Sequence, residues 1–192
     1  MANFQPSKYQ KAVFTYIQKG RGNAVIDAVA GSGKSTTIVN ALKLIPADKK
    51  VLFLAFNKAI VEELKIKIGN MSNVDIKTLH SLGAQVTMRT LNSKLSTDKY
   101  ISWVNSGVKS SCLAPKNPML PEVMQSWKSN ILKLIDLGRV NLVTSEKELE
   151  NLAWKHDIML EDNEVEIALR GIRWGESEVS VIDFTDMIYF PN

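Results

Sequence analysis

The chain holds a single cysteine, Cys112, among 192 residues. One thiol excludes a disulfide framework and a cysteine-based metal site. No apolar run approaches the roughly 20 residues that a membrane-spanning helix needs. The opening Met1-Ala2-Asn3-Phe4-Gln5-Pro6 is not a secretory signal. These absences predict a soluble protein in a reducing compartment. Internal repeats and low-complexity tracts are also missing. What remains is 45% apolar residues, enough for a real core, in a length that suits one domain plus an insertion or two small domains.

Charge is unevenly placed. Residues 1–90 carry 13 Lys and Arg against 5 Asp and Glu, a net +8. Residues 91–192 carry 11 against 15, a net −4. A basic half suits a polyanionic partner, although a solvated lysine-rich face explains the same excess.

The basic half contains the stretch around which the chain is organised, Ala24-Val25-Ile26-Asp27-Ala28-Val29-Ala30-Gly31-Ser32-Gly33-Lys34-Ser35-Thr36. It reads as strand, phosphate loop and helix, a Walker A motif with Ala28 in the first glycine position. Gly31 and Gly33 permit the tight turn that aims successive N–H groups at a phosphate. The following helix adds its positive N-terminal dipole. Lys34 is the candidate for the β- and γ-phosphates and for catalysis, and the Ser35 hydroxyl for a Mg²⁺ shell. The nucleotide-binding set is therefore Ala30, Gly31, Ser32, Gly33, Lys34, Ser35 and Thr36.

Around this motif the pattern alternates. A helix is expected over 6–19, with Pro6 in its first turn and Gly20 as its stop. It carries Gln10, whose amide offers a donor and an acceptor to an adenine edge. Strands are expected over 23–28, 50–56 and 74–78, the first two buried on both faces, with helices over 34–45, 57–68 and 79–89. Three alternations predict an α/β fold, a parallel P-loop sheet with ligand at the C-terminal strand ends.

After residue 90 strand-like runs almost vanish. Helices are expected over 96–108, 121–137, 145–156 and 161–174, with breaks at Pro115, Pro118 and Gly138 and a capping box from Ser145 to Glu148. The division is a 1–90 nucleotide-binding core, a 91–176 helical insertion and a 177–192 return segment. All four tryptophans, Trp103, Trp127, Trp154 and Trp174, lie in the insertion. Filling the core of a small bundle is favoured over stacking on bases. At the C-terminal end, Asp183 is read as a cap for a short helix, with Asp186 solvating it.

Taken in order, Gln10, Ala30-Gly31-Ser32-Gly33-Lys34-Ser35, Leu54-Ala55-Phe56-Asn57-Lys58-Ala59-Ile60, Thr78-Leu79-His80-Ser81-Leu82-Gly83 and Asp183-Phe184-Thr185-Asp186-Met187 resemble the UvrD/Rep-type superfamily 1 DNA helicases. The Phe-Asn-Lys form resembles the F-box-helicase and phage branch. The resemblance implies a RecA-like fold, ATP and Mg²⁺ as cofactors, and single-stranded DNA as partner. It implies an adenine-reading role for Gln10 and DNA contacts from Phe56, Asn57, Lys58, Thr78 and His80. A cytoplasmic location in a bacterial or phage-infected cell is implied as well, with a monomer favoured. Two departures stand out. Thr36 occupies a position where many members carry Arg, and no Asp-Glu-x-x-Gln segment or second motor domain follows. The expectation is the front part of an ATP-dependent helicase, inactive by itself. A nucleotide- or DNA-binding module without turnover remains an alternative, as does a small P-loop kinase.

Overall fold

The computed structural model describes residues 4–117 and 119–191. Residues 1–3, Asn192 and Pro118, read above as a break, lie outside them. The chain forms two compact units, one up to Leu79 and one from His80 onward.

In the first unit, α1 (Lys8–Lys19) opens with a capping box. The Ser7 hydroxyl accepts the Gln10 N–H, and Gln10 Oε1 accepts the Ser7 N–H at 2.9 Å. The expected strand over 23–28 is not there. Residues 23–29 run without regular structure and largely exposed, Val25 at 96% and Val29 at 77%. An apolar, β-branched run is fit for a sheet, but only a hydrogen-bonded neighbour makes it a strand. Among the described residues this run has none.

Helix α2 (Lys34–Leu42) follows the loop and stops short of the expected end at Ile45. Then come β1 (Val51–Ala55), α3 (Lys58–Ile68) and β2 (Val74–Thr78). The two strands pair in parallel, Val51 with Val74 through to Ala55 with Thr78, and α3 makes the crossover. Asn57 caps α3 by accepting the Ile60 N–H at 2.9 Å. Side chains alternate along the strands. Ala55 and Ile76 pack with Val39 and Leu42 of α2 and with Val61, Leu64 and Ile68 of α3. Leu52 and Leu54 point the other way and stay 48% and 43% exposed. The sheet is thus covered on one face, not both, and has two strands where three were expected.

The second unit is mostly helical. It begins along α4 (Leu79–Leu91) and continues through β3 (Lys94–Leu95), α5 (Lys99–Lys109), α6 (Pro121–Val140), α7 (Glu146–Lys155), α8 (Glu164–Ser177), β4 (Val181–Ile182) and α9 (Asp186–Tyr189). Ser145 and Glu148 form the expected capping box of α7. Gly138 breaks nothing: it lies inside α6 and is buried among Ile172 and Leu149. The core joins Trp127, Ile131, Leu134 and Ile135 of α6 to Leu149 of α7 and Ile167 and Ile172 of α8, each at most 2% exposed. At about 1.5–3 kcal/mol per fully buried large side chain, this core dominates the unit. Trp103 and Trp174 stack at 5.5 Å between ring centroids, whereas Trp154 is 84% exposed.

Parallel pairing of β3 with β4 brings the C-terminal stretch back beside α4. There Gly83 allows the backbone of α9 to approach: a Cβ at this position would lie 1.7 Å from the Met187 carbonyl oxygen. A helical glycine costs about 1 kcal/mol against alanine, and this contact accounts for it.

The carboxylates of this stretch are not solvated. Asp186 is completely buried and pairs with Lys99 Nζ at 2.8 Å and Arg139 Nη2 at 2.6 Å. Arg139 also holds Asp183, at 2.6 and 2.9 Å. Asp183 does accept the Asp186 N–H at 2.8 Å, as a cap would, and the Asp183 N–H returns to Asp186 at 3.1 Å. Two cations face two anions inside the unit, so each charge is compensated.

Candidate functional site

The loop before α2 has the geometry its residue types predict. Gly31 and Gly33 have φ of +77° and +82°, the left-handed region that glycine enters without strain. Gly33 is the N-cap of α2 and offers no side chain to its first turn. An anion at such a helix start meets N–H donors and the positive end of the dipole. Lys34 Nζ donates to the carbonyls of Ala28 and Val29 at 2.8 and 3.0 Å, which holds the ammonium against the loop. Ser35 and Thr36 are exposed on the first turn of α2.

Beside the loop lies a cleft of about 400 Å³. Ser7, Tyr9, Gln10 and Val13 of the α1 region line one side, with Asp27, Val29, Ser32, Lys34 and Thr37 on the other. Its surface is mostly apolar with a few polar groups, the usual make-up of a small-molecule site. Gln10 is brought to the loop by a side-chain bond: its Nε2 donates to Thr37 Oγ1 at 2.9 Å, and Thr37 Oγ1 donates to the Gly33 carbonyl at 2.8 Å. The structure thereby gathers Gln10, Ser32 and Lys34 around one cleft, while Ala30, Gly31, Gly33, Ser35 and Thr36 are not part of its lining. Ser7, Thr37 and Asp27 were not singled out from the sequence. Thr37 lies three residues beyond Lys34, nearly one helical turn, and that spacing was the available signal.

The residues are suited to a nucleotide with its metal. Among the described residues no group of three or more His, Cys, Asp or Glu side chains could hold a metal ion. The Ser35 hydroxyl is the group that would hold a Mg²⁺ arriving with the nucleotide, an ion that commonly keeps several non-protein ligands.

A second set lies at the C-terminal ends of the paired strands. Phe56 directly follows β1 and is 91% exposed. Asn57 spends its side-chain oxygen on capping α3, and Lys58 is exposed in the first turn. Thr78 ends β2 opposite Ala55, half-buried. His80 is exposed in the first turn of α4.

The class follows from fold and sequence together: a mixed α/β protein with short parallel strands, mostly helical, with a glycine loop feeding a helix. The model of the UvrD/REP helicase N-terminal domain matches residues 8–191, and the chain belongs to that family. Membership implies a P-loop NTPase fold and a helicase-type function. Comparison with curated proteins and with solved structures returns no match. Among the described residues no helix is long and apolar enough to cross a membrane.

Proposed function

We propose that this chain is the ATP-binding portion of a helicase that travels on single-stranded DNA. Residues 1–90 form its nucleotide-binding core, 91–176 a helical insertion and 177–192 the return segment. The observation that carries the reading is the cleft in which Gln10, Thr37 and Lys34 converge on one glycine loop. Lys34 moves from its carbonyl partners to the phosphates, and α2 supplies the N–H donors. Gln10 meets the base and Ser35 the metal. Mg²⁺, when bound, offsets phosphate charge. Phe56, Asn57, Lys58, Thr78 and His80 are each assigned to contact DNA, with stacking from the ring and backbone contacts from the polar groups.

Titration calorimetry with Mg-ATP tests the assignment. Wild type is expected to bind and Lys34→Ala to lose binding. Equal affinities for the two proteins would remove lysine, and with it the phosphate loop, from the function.

A further inference from the structure

Thr37 lines the cleft but is given no contact with nucleotide in the reading above, and it is one of two groups that hold the Gln10 amide. The amide of a glutamine can face either way, and its partners decide which. Here both partners agree. The Ser7 backbone N–H can only donate, so Gln10 Oε1 faces it, at 2.9 Å. The Thr37 hydroxyl places its one hydrogen on the Gly33 carbonyl at 2.8 Å. Only lone pairs remain on that oxygen, so it must receive the amide NH₂, which it does at 2.9 Å. A flipped amide would set a carbonyl oxygen against those lone pairs and an NH₂ against the Ser7 N–H.

Two capacities of the amide are then left for a ligand, the second Nε2 hydrogen and the second Oε1 lone pair. They form a donor and an acceptor side by side. The N7/N6 edge of adenine presents an acceptor and a donor and matches them, whereas the N7/O6 edge of guanine presents two acceptors. Gln10 lines the cleft, and a Cβ at Gly33 would be 3.6 Å from its Nε2, so the amide sits against the phosphate loop itself.

We propose that Thr37 is a positioning residue for base selection: with Ser7 it locks the Gln10 amide in the one orientation that accepts adenine and rejects guanine. The inference rests on the nucleotide reading and adds the determinant of base choice to it. The lock also ties base recognition to the loop, because one hydroxyl bridges the amide and the Gly33 carbonyl.

The test compares binding of Mg-ATP, Mg-GTP and an ATP analogue with carbon in place of N7, for wild type, Thr37→Val and Thr37→Ser. Wild type is expected to prefer ATP over both by roughly five- to hundredfold, the range for a bidentate amide–adenine pair. Thr37→Val should shrink both preferences severalfold, read as ratios of affinities within each protein. Thr37→Ser, which keeps the hydroxyl, should restore them. If Thr37→Val fails to fold, Gln10→Glu serves instead. It lies on α1, which has no buried residue, and replaces the amide donor by a charged acceptor, so only the ratio of ATP to GTP affinity is read from it. It too should lose the preference. Equal binding of ATP and GTP by wild type overturns the inference and leaves the phosphate loop standing. So does a preference that survives Thr37→Val or Gln10→Glu. Failure of wild type to bind any of the three ligands overturns both readings.

Discussion

The surroundings of Phe56 do not explain its presence. A ring that is 91% exposed adds nothing to the core of its unit, and its neighbour Asn57 does the structural work by capping α3. The two positions therefore separate function from stability. Phe56→Ala should leave the unfolding free energy within about 0.5 kcal/mol of wild type. It should weaken binding of an oligothymidine by ~1–3 kcal/mol, the usual worth of one base–aromatic stack. Asn57→Ala should do the reverse in the first respect, costing about 0.5–2 kcal/mol of stability through loss of the cap. Urea unfolding and fluorescence anisotropy, the latter at two salt concentrations, measure both. A Phe56→Ala protein that binds the oligonucleotide as wild type does would remove the ring from the DNA contacts.

Among the elements, the return of β4 and α9 onto the second unit depends on charge as well as packing. Arg139 reaches Asp183 and Asp186 from α6, and Lys99 reaches Asp186 from α5, both cations with side chains at most 1% exposed. Arg139→Met would leave two carboxylates with one cation, a change expected to cost about 3–5 kcal/mol. The pH dependence has a definite sign. Burial is the largest single influence on the Asp183 carboxyl and pushes it up, but the hydrogen bonds from Arg139 and the Asp186 N–H, with the charges of Arg139 and Lys99, together outweigh it and hold the group below its ordinary value of 3.8. A lowered folded pKa means the contribution is fully present above that ordinary value and is lost as pH falls through the folded one. The stability gap between wild type and Asp183→Asn should thus be constant from pH 5 to 7 and close below about pH 4. A gap that widens in acid would contradict the pairing. The ends of these elements were largely legible: Gly20, the Ser145–Glu148 box and Pro121 mark boundaries by their backbone chemistry. The 23–28 run was misread because residue type reports fitness for a sheet and not the presence of a partner. Lys99 and Arg139 escaped because buried cations break the apolar code. Even so, Arg139 lies four residues beyond Ile135 and eight beyond Ile131, on the same buried stripe of α6. At the loop and its cleft, the glycines and Lys34 stood out by pattern, while Thr37 looked like any helical threonine.

For the whole molecule, the two units differ in how well they are packed. Buried side chains of the first unit's cluster are 4–8% exposed, while among the described residues every large side chain under 2% belongs to the second. All four tryptophans also lie beyond residue 80. Urea should therefore unfold the first unit before the second. Tryptophan fluorescence would follow the later transition, and far-ultraviolet circular dichroism both. Mg-ATP at a hundredfold excess over its dissociation constant should stabilise the earlier transition by about 2.7 kcal/mol and leave the later one in place. A nucleotide that shifts the fluorescence transition instead would move the binding site out of the first unit.

The close approach at Gly83 has a consequence for inheritance. Every single-nucleotide change of a glycine codon that replaces the residue either stops translation or adds a Cβ. At this position a Cβ would stand 1.7 Å from the Met187 carbonyl oxygen, which is backbone and cannot swing aside. The turn that would have to yield is the one that carries Asp186 to Lys99 and Arg139. No missense step for this codon avoids that carbonyl, so the smallest residue of α4 leaves no room for substitution.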